Sequence, residues 1–219
     1  MLLQAQDRKK LDETDDSQFY SYPRFVTHVD EGFIDRLTNL YRERLKPNTR
    51  ILDMMSSWVS HLPEMKFAHV EGHGMNEEEL KKNPQLDHYF VQDLNENPKL
   101  PLDDCDFDAV LNCVSIQYLQ YPEAIFYEMY RILKPGGIAI VTFSNRMFYQ
   151  KAITAWRDGT EKSRVELVKG YFNSVKGQSL PGFSIPEVIA EQSSVPSVLQ
   201  MLGLGGGDPF YAVIAYRQN

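Results

Sequence analysis

The sequence predicts one α/β domain built on a mostly parallel β-sheet. Two stretches, Ile51–Met54 and Ile138–Phe143, have the pattern of strands buried on both faces, which is typical of parallel sheets. Such strands alternate with amphipathic helical patterns, for example over residues 33–45. A chain of 219 residues with 42% hydrophobic content is long enough to bury one core of this kind and short for two.

The net charge and the cysteine content argue against several classes of partner and site. The net charge of −7 argues against a nucleic-acid partner, because no basic stripe could replace the counterions on a phosphate backbone. A small-molecule acceptor is expected instead. Cys105 and Cys113 are the two cysteines and do not form a Cys-x-x-Cys pair, so we expect no disulfide framework and no metal. With no signal-peptide pattern and no bilayer-length apolar run, we expect a cytoplasmic protein without a membrane partner.

The first residues divide into two parts. Residues 1–18 are polar and unpatterned, which predicts a flexible tail ahead of a single domain over 19–219. Residues 19–28 are dense in aromatic side chains before any regular helix begins. Two interpretations follow: the rings pack on the core as a strap, or residues 19–30 form a lid over a cleft, where an aromatic cover excludes water.

The next elements follow from caps and periodicity. Asp30 caps a helix that runs to Leu45 and is closed by Pro47. The first strand, Ile51–Met54, leads into a small-residue turn and a short helical turn that Pro63 stops.

The second strand and its loop lie within residues 66–76. Asn76 caps a helix whose first turn, Glu77–Glu79, is expected to be a solvated face. A third short strand ends at Asp93, where an aspartate is most simply a turn former.

The second half of the chain repeats this alternation. A fourth strand is expected from Asp108 to Val114, followed by a helix that begins at Pro122. The Lys-Pro-Gly-Gly sequence at 134–137 predicts a turn before the strand 138–143. The remaining predicted elements are helices over 152–156 and 165–172 and a hairpin loop over 203–209.

The order of strand, Asp53 and tight turn resembles motif I of the class I S-adenosylmethionine-dependent methyltransferases, written Asp-x-Gly-x-Gly-x-Gly. Residues 131–143, with Lys-Pro-Gly-Gly before an apolar strand, are similar to the type 11 group of that family. The three glycine positions of motif I fall on Met55, Ser57 and Val59. The resemblance implies a Rossmann-like, doubly wound, seven-stranded and mostly parallel sheet, with an antiparallel last edge strand and helices on both faces. Residues 187–191 resemble the sixth strand of that sheet and residues 211–216 its last.

The resemblance also implies a cofactor site for S-adenosylmethionine. Asp53, Ser56 and Ser57 would meet its aminocarboxylate end and Asp93 its adenine, whereas Gly74 takes the position of the usual ribose acid. The full set of implied cofactor residues is Asp53, Met54, Met55, Ser56, Ser57, Gly74, Met75, Asp93, Leu94, Asn112 and Cys113.

An acceptor site is expected beside the cofactor. Its candidate residues are Tyr22, Arg24, His28, Tyr118, Asn145 and Arg146. His28 and Tyr118 are the catalytic candidates for taking a proton from the acceptor, with His61 as a third.

Three functions are weighed on this basis. The first is an S-adenosylmethionine-dependent methyltransferase acting on a small-molecule acceptor. The second is a non-catalytic, methyltransferase-like module that binds an adenosyl ligand, which the missing glycines and ribose acid favour. A nicotinamide oxidoreductase is disfavoured, because no Gly-x-Gly-x-x-Gly follows the first strand.

Overall fold

The computed structural model describes residues 2–176, 180–191 and 207–219. Within these ranges a seven-stranded sheet has the order β3-β2-β1-β4-β5-β7-β6. The strands are β1 Arg50–Met54, β2 His69–Gly74, β3 His88–Val91, β4 Phe107–Cys113, β5 Leu133–Phe143, β6 Glu187–Glu191 and β7 Phe210–Tyr216. Six strands run in one direction and β7 runs against them, as the sequence predicts. Residues 203–206 of the expected hairpin loop lie outside the described residues.

The expectation that the last strand forms an edge is wrong. β7 lies between β5 and β6 and pairs antiparallel with both, so β6 is the edge strand on this side. The physical reason is burial: Phe210–Ala215 are buried, as a strand with a neighbour on each side requires, whereas four of the five β6 residues are exposed.

Helices cover both faces of the sheet. They are α1 Asp16–Phe19, α2 Glu31–Arg44, α3 Glu77–Lys82, α4 Pro122–Ile132, α5 Thr154–Arg157 and α6 Glu161–Ser174, with 3₁₀ turns at Ala5–Arg8 and Ile116–Tyr118. α2 packs on one face, and α4, α5 and α6 pack on the other. Among the described residues no helix combines the length and the hydropathy that a membrane span needs.

Caps and turns begin and shape these elements largely as predicted. The Asp30 carboxylate accepts the Phe33 N–H at 2.8 Å and starts α2. The Lys-Pro-Gly-Gly turn, however, does not interrupt β5. Leu133 pairs with Phe107 and Ile138 pairs with Ala109, so residues 134–137 form an outward bulge within one strand.

No helix follows β1, although a short helical turn was expected there. Residues 55–68 are irregular. Met55 and His61 both have left-handed backbone angles, with φ of 59° and 55°, and Pro63 follows two residues later. These conformations prevent an α-helical turn and leave an extended loop at the carboxyl end of the sheet.

The N-terminal segment packs against the body of the protein, whereas its composition predicted a flexible tail. Leu3 is buried, and Arg8 makes two short bonds to the Glu123 carboxylate, of 2.9 and 2.7 Å. Lys151 is fully buried, and its ammonium lies 3.2 Å from carboxylate oxygens of both Asp12 and Asp16. Apolar anchoring and buried ion pairs therefore override a polar composition, and they hold this segment beside the sheet.

Candidate functional site

A cavity of about 340 Å³ lies at the carboxyl ends of β1, β2 and β4. Its volume falls within the range of small-molecule pockets, and its position is where open α/β sheets bind ligands. Residues 24–29 and 146–148 cover it, so the aromatic segment 19–28 contributes one of its walls.

The structure brings most of the predicted site residues to this cavity. Those that line it are Arg24, His28, Asp53, Met55, Ser56, Ser57, His61, Gly74, Met75, Asp93, Leu94, Cys113, Tyr118 and Arg146. Four predicted residues do not line it. Met54 and Asn112 are fully buried beneath the cavity, Tyr22 is 78% exposed, and Asn145 is also exposed.

Asp53 is a buried carboxylate at the end of β1. It is 5% exposed and accepts a hydrogen bond from the Ser56 hydroxyl at 2.6 Å. Burial raises the pKa of Asp53 to about 6, because the charged form loses its hydration, and the hydroxyls of Ser56 and Ser60 offset only part of this cost. The carboxyl group of Asp53 therefore changes charge near pH 6.

The loop after Asp53 folds across β2 and is fixed there by His73. The Met55 N–H donates to His73 Nδ1 at 3.1 Å, and the Ser56 N–H donates to the His73 carbonyl at 2.6 Å. His73 Nε2 lies 3.0 Å from the Gln92 carbonyl, which can only accept, so Nε2 carries the ring proton. Burial lowers the pKa of His73 to about 4 and keeps the ring neutral. Its role was not predicted, since a lone histidine within a strand gives no signal.

Gly74 makes this crossing possible. A Cβ built on Gly74 would lie 2.7 Å from the Ser56 carbonyl oxygen, closer than real Cβ atoms come to backbone. The loop thus fills the space that a side chain at the end of β2 would need. No acid could occupy this position without moving the loop.

Glu79 differs from the expectation for its helix turn. Glu77 and Glu78 are exposed as expected, but Glu79 is half-buried and turns towards the cavity. Its Oε1 accepts the Arg24 backbone N–H at 2.6 Å, and its Oε2 accepts the Ser57 hydroxyl at 2.7 Å. Sequence reasoning missed this residue because three consecutive glutamates in a first turn are equally consistent with a solvated face.

The aromatic segment is held over the cavity by polar contacts. The Asn76 side chain donates to the Tyr20 and Ser21 carbonyls at 2.8 and 3.2 Å, and the Trp58 indole donates to the Val26 carbonyl at 3.2 Å. These bonds join the segment both to the start of α3 and to the loop after β1.

Within the cover, a cation lies among aromatic rings. The Arg24 guanidinium lies 4.5 Å from the Phe19 ring centroid and 5.4 Å from that of Phe148. His28 meets the Phe148 ring edge-on, with centroids 5.2 Å apart. Arg24, His28 and Phe148 line the cavity, whereas Phe19 packs against Phe148 without lining it.

The two catalytic candidates differ in their chemistry. Burial raises the pKa of Tyr118 to about 12, and its hydroxyl oxygen accepts the Phe148 N–H at 2.8 Å, so the phenol stays neutral and is unsuited to be a base. Burial lowers the pKa of His28, and the nearby Arg24 charge adds to this effect while Glu79 opposes it. A neutral imidazole at neutral pH has a lone pair that can take a proton.

Two features at the end of β4 were not predicted. Val114 has a φ of 49°, a left-handed angle that is rare for a β-branched residue and occurs at functional sites. The neighbouring Ser115 lines the cavity, is 8% exposed, and its hydroxyl has no hydrogen-bond partner among the described residues. Such a buried orphan hydroxyl is suited to a ligand contact.

Asp93 and Arg146 are partly engaged by the protein itself. One Asp93 carboxylate oxygen accepts the Asn95 N–H at 2.8 Å, as a turn former does, while the residue also lines the cavity. Arg146 Nε lies 2.7 Å from the Asp208 carboxylate, so its charge is paired at the rim.

Residues 58–141 match the type 11 methyltransferase family model, described as a methyltransferase domain. The match begins within the altered loop, at residue 58, and ends within β5. The chain is 27% identical over 195 residues to a biotin biosynthesis bifunctional protein of Teredinibacter turnerae, covering 85% of this chain and 31% of that protein. It is 32% identical over 69 residues to a malonyl-[acyl-carrier protein] O-methyltransferase of Marinomonas sp., covering 32% of this chain and 24% of that one. The chain thus spans less than a third of the length of these curated relatives.

Solved structures share this fold. An S-adenosylmethionine-dependent methyltransferase from Mesorhizobium loti superposes with a TM-score of 0.53 at 18% identity, covering 82% of this chain and 96% of that one. The protein therefore has the fold of the class I S-adenosylmethionine-dependent methyltransferases and carries a match to their type 11 group over residues 58–141.

Proposed function

We propose that the protein transfers a methyl group from S-adenosylmethionine to a small-molecule acceptor bound beneath residues 19–28. One observation carries the proposal. One cavity gathers Asp53, the loop that follows it, Asp93 and Ser115 from separate parts of the sequence, and an aromatic cover closes it.

The groups that line the cavity suit the cofactor. Asp53, with a pKa of about 6, and the hydroxyls of Ser56 and Ser57 would hold its aminocarboxylate end. Asp93 would accept from the adenine amino group, with Leu94 beside the ring. The orphan Ser115 hydroxyl offers a further donor to the cofactor or the acceptor.

When bound, S-adenosylmethionine supplies an electrophilic methyl group on a sulfonium, and the protein's part is to hold the acceptor in line and keep water out. The rings of Tyr20, Tyr118 and Phe148 line the cavity and can face a positive sulfur through cation–π attraction. His28 would accept the proton that the acceptor loses, because its imidazole is neutral and lies within the same cover.

A small acceptor is proposed from the form of the site. Polar contacts from Asn76, Glu79 and Trp58 hold the segment 19–28 over the cavity, which favours a compact acceptor over a large one. One relative is named for a carrier-bound malonyl acceptor, and a thioester-linked acyl chain is therefore the natural second class to test.

A non-catalytic module that binds an adenosyl ligand is the second candidate. It is favoured because hydrogen-bond donors of the altered loop already have partners within the protein. The N–H groups of Met55 and Ser56 bond to His73, and the Ser57 hydroxyl bonds to Glu79. A ligand would have to replace or share these bonds.

Isothermal titration with S-adenosylmethionine, S-adenosylhomocysteine and NAD, at one salt concentration and pH, tests the proposal. We expect micromolar binding of the two adenosyl sulfur compounds and none of NAD. Absence of binding by the sulfur compounds would refute the methyltransferase proposal. Binding without any methyl transfer to small acids, amines, phenols or acyl thioesters would favour the second candidate.

A further inference from the structure

The carboxylate of Glu79 faces the cavity and is half-buried. Among the described residues its hydrogen-bond donors are both neutral groups, the Arg24 backbone N–H and the Ser57 hydroxyl. We propose that Glu79 binds the ribose hydroxyls of the adenosyl ligand, in place of the acid that Gly74 has removed from the end of β2. This inference rests on the proposed function, because it assumes a ligand with a ribose.

The steric argument concerns the end of β2. The loop after β1 passes so close to Gly74 that a Cβ there would lie 2.7 Å from the Ser56 carbonyl oxygen. An acid on this strand end and the observed loop path therefore exclude each other. Once the loop takes this path, a carboxylate for the ribose has to come from another element.

The other carboxylates near this strand are used elsewhere. Glu71 accepts from His69 at 2.9 Å and lies 2.6 Å from His88 Nδ1. Asp53 lies at the end of β1, where it accepts from the Ser56 hydroxyl and is assigned to the aminocarboxylate end of the cofactor. Glu79 is the carboxylate that starts from the element directly after β2 and reaches the cavity.

Glu79 also has free capacity for a diol. Each of its oxygens accepts one bond, from the Arg24 N–H and from the Ser57 hydroxyl. An ionised carboxylate has about four acceptor positions, so about two remain for neighbouring hydroxyl donors. The two existing bonds, together with the Asn76 cap that accepts the Glu79 N–H at 3.0 Å, hold the carboxylate in place before a ligand arrives.

The test measures binding of adenosine and of 2′,3′-dideoxyadenosine, alongside S-adenosylhomocysteine, by isothermal titration. Wild-type protein, Glu79→Gln and the matched control Glu78→Gln are compared, since Glu78 lies exposed in the same helical turn. We expect Glu79→Gln to weaken S-adenosylhomocysteine binding by about tenfold or more, and Glu78→Gln to leave it unchanged. The wild-type preference for adenosine over the dideoxy analogue should also shrink about tenfold in Glu79→Gln.

A third variant separates direct contact from loop positioning. Ser57→Ala removes the hydroxyl that Glu79 holds. If Glu79 acts only by fixing the loop, Ser57→Ala will match Glu79→Gln, and both will keep the wild-type preference for the ribose hydroxyls. That result would overturn the assignment of Glu79 while leaving the cofactor in place. Failure of the wild-type protein to bind any adenosyl compound would instead overturn the proposed function, and the assignment with it.

Discussion

Replacing Asp53 with asparagine should stabilise the protein at neutral and alkaline pH while weakening ligand binding. The asparagine side chain keeps an oxygen that can accept from the Ser56 hydroxyl, but the change removes a charge on a residue that is 5% exposed. Burial raises the pKa of Asp53 to about 6 from 3.8, so folding favours its protonated form. Such a group lowers the free energy of unfolding of the protein as pH rises from 3.8 to about 6. Above about pH 6 this destabilisation has reached its full size.

The size of the effect follows from that pKa. A rise from 3.8 to about 6, at about 1.4 kcal/mol per pH unit, corresponds to about 3 kcal/mol of destabilisation at pH 8. At pH 5 the same calculation gives about 1.6 kcal/mol of destabilisation by Asp53. The difference in free energy of unfolding between Asp53→Asn and wild type should therefore grow by about 1–2 kcal/mol between pH 5 and pH 8. In a chain of this size, about 3 kcal/mol corresponds to about 6–12 °C in Tm.

Urea unfolding of wild-type protein and Asp53→Asn at pH 5, 6, 7 and 8 measures this difference. His73, whose pKa burial lowers to about 4, makes both proteins less stable as pH falls through the range between 6.5 and 4, and this effect cancels in the comparison. S-adenosylhomocysteine affinity is measured on the same samples and should fall. A stability difference that does not change with pH, or a variant less stable than wild type at pH 8, would refute the reasoning about Asp53.

Three further substitutions test the anchoring of the N-terminal segment and the roles of the two catalytic candidates. Lys151→Met should cost about 3 kcal/mol in urea unfolding, because it leaves the buried Asp16 carboxylate with one fewer positive partner; a loss under about 1 kcal/mol would contradict a structural role for this ion pair. Tyr118→Phe should cost about 1–3 kcal/mol by removing the acceptor of the Phe148 N–H, with the pH–rate profile unchanged, whereas loss of a basic limb from that profile would restore Tyr118 as a catalytic group. His28→Asn should lower kcat by about 100-fold or more with S-adenosylhomocysteine affinity retained, and an unchanged kcat would exclude it as the base.

Much of the fold could be predicted because apolar patterns, helix caps and prolines determine the structure of the residues next to them in sequence. The apolar strands, the Asp30 cap and Pro122 each act on their own neighbours, and the structure places helices and strands accordingly. The position of β7 inside the sheet could have been inferred from its continuous apolar run, since an edge strand rarely buries both faces.

The path of the loop after β1 could not be predicted in the same way. It depends on contacts between residues far apart in sequence: Ser56 against Gly74, and Met55 against His73. The direction of Glu79 depends in turn on Ser57 and Arg24, which come from two other segments. Motifs in the sequence therefore indicated most of the residues that line the cavity, but not the contacts of His73 and Glu79 that fix the loop.

Two residues of β2, His73 and Gly74, compensate for the glycines that the loop after β1 lacks. Met55 keeps a left-handed φ of 59°, a conformation that normally favours glycine, and the bond from its N–H to His73 holds it there. The close approach that loop glycines would allow is instead provided by Gly74, which has no Cβ to meet the Ser56 carbonyl. The altered loop is therefore held by contacts with His73 and Gly74 of β2 instead of by glycines of its own. In Gly74→Ala the new Cβ would clash most strongly with the Ser56 carbonyl oxygen, at 2.7 Å, and would also crowd the Leu80 side chain, at 3.2 Å. The loop must therefore move by several tenths of an ångström, and we expect the ligand site to be affected more than the core.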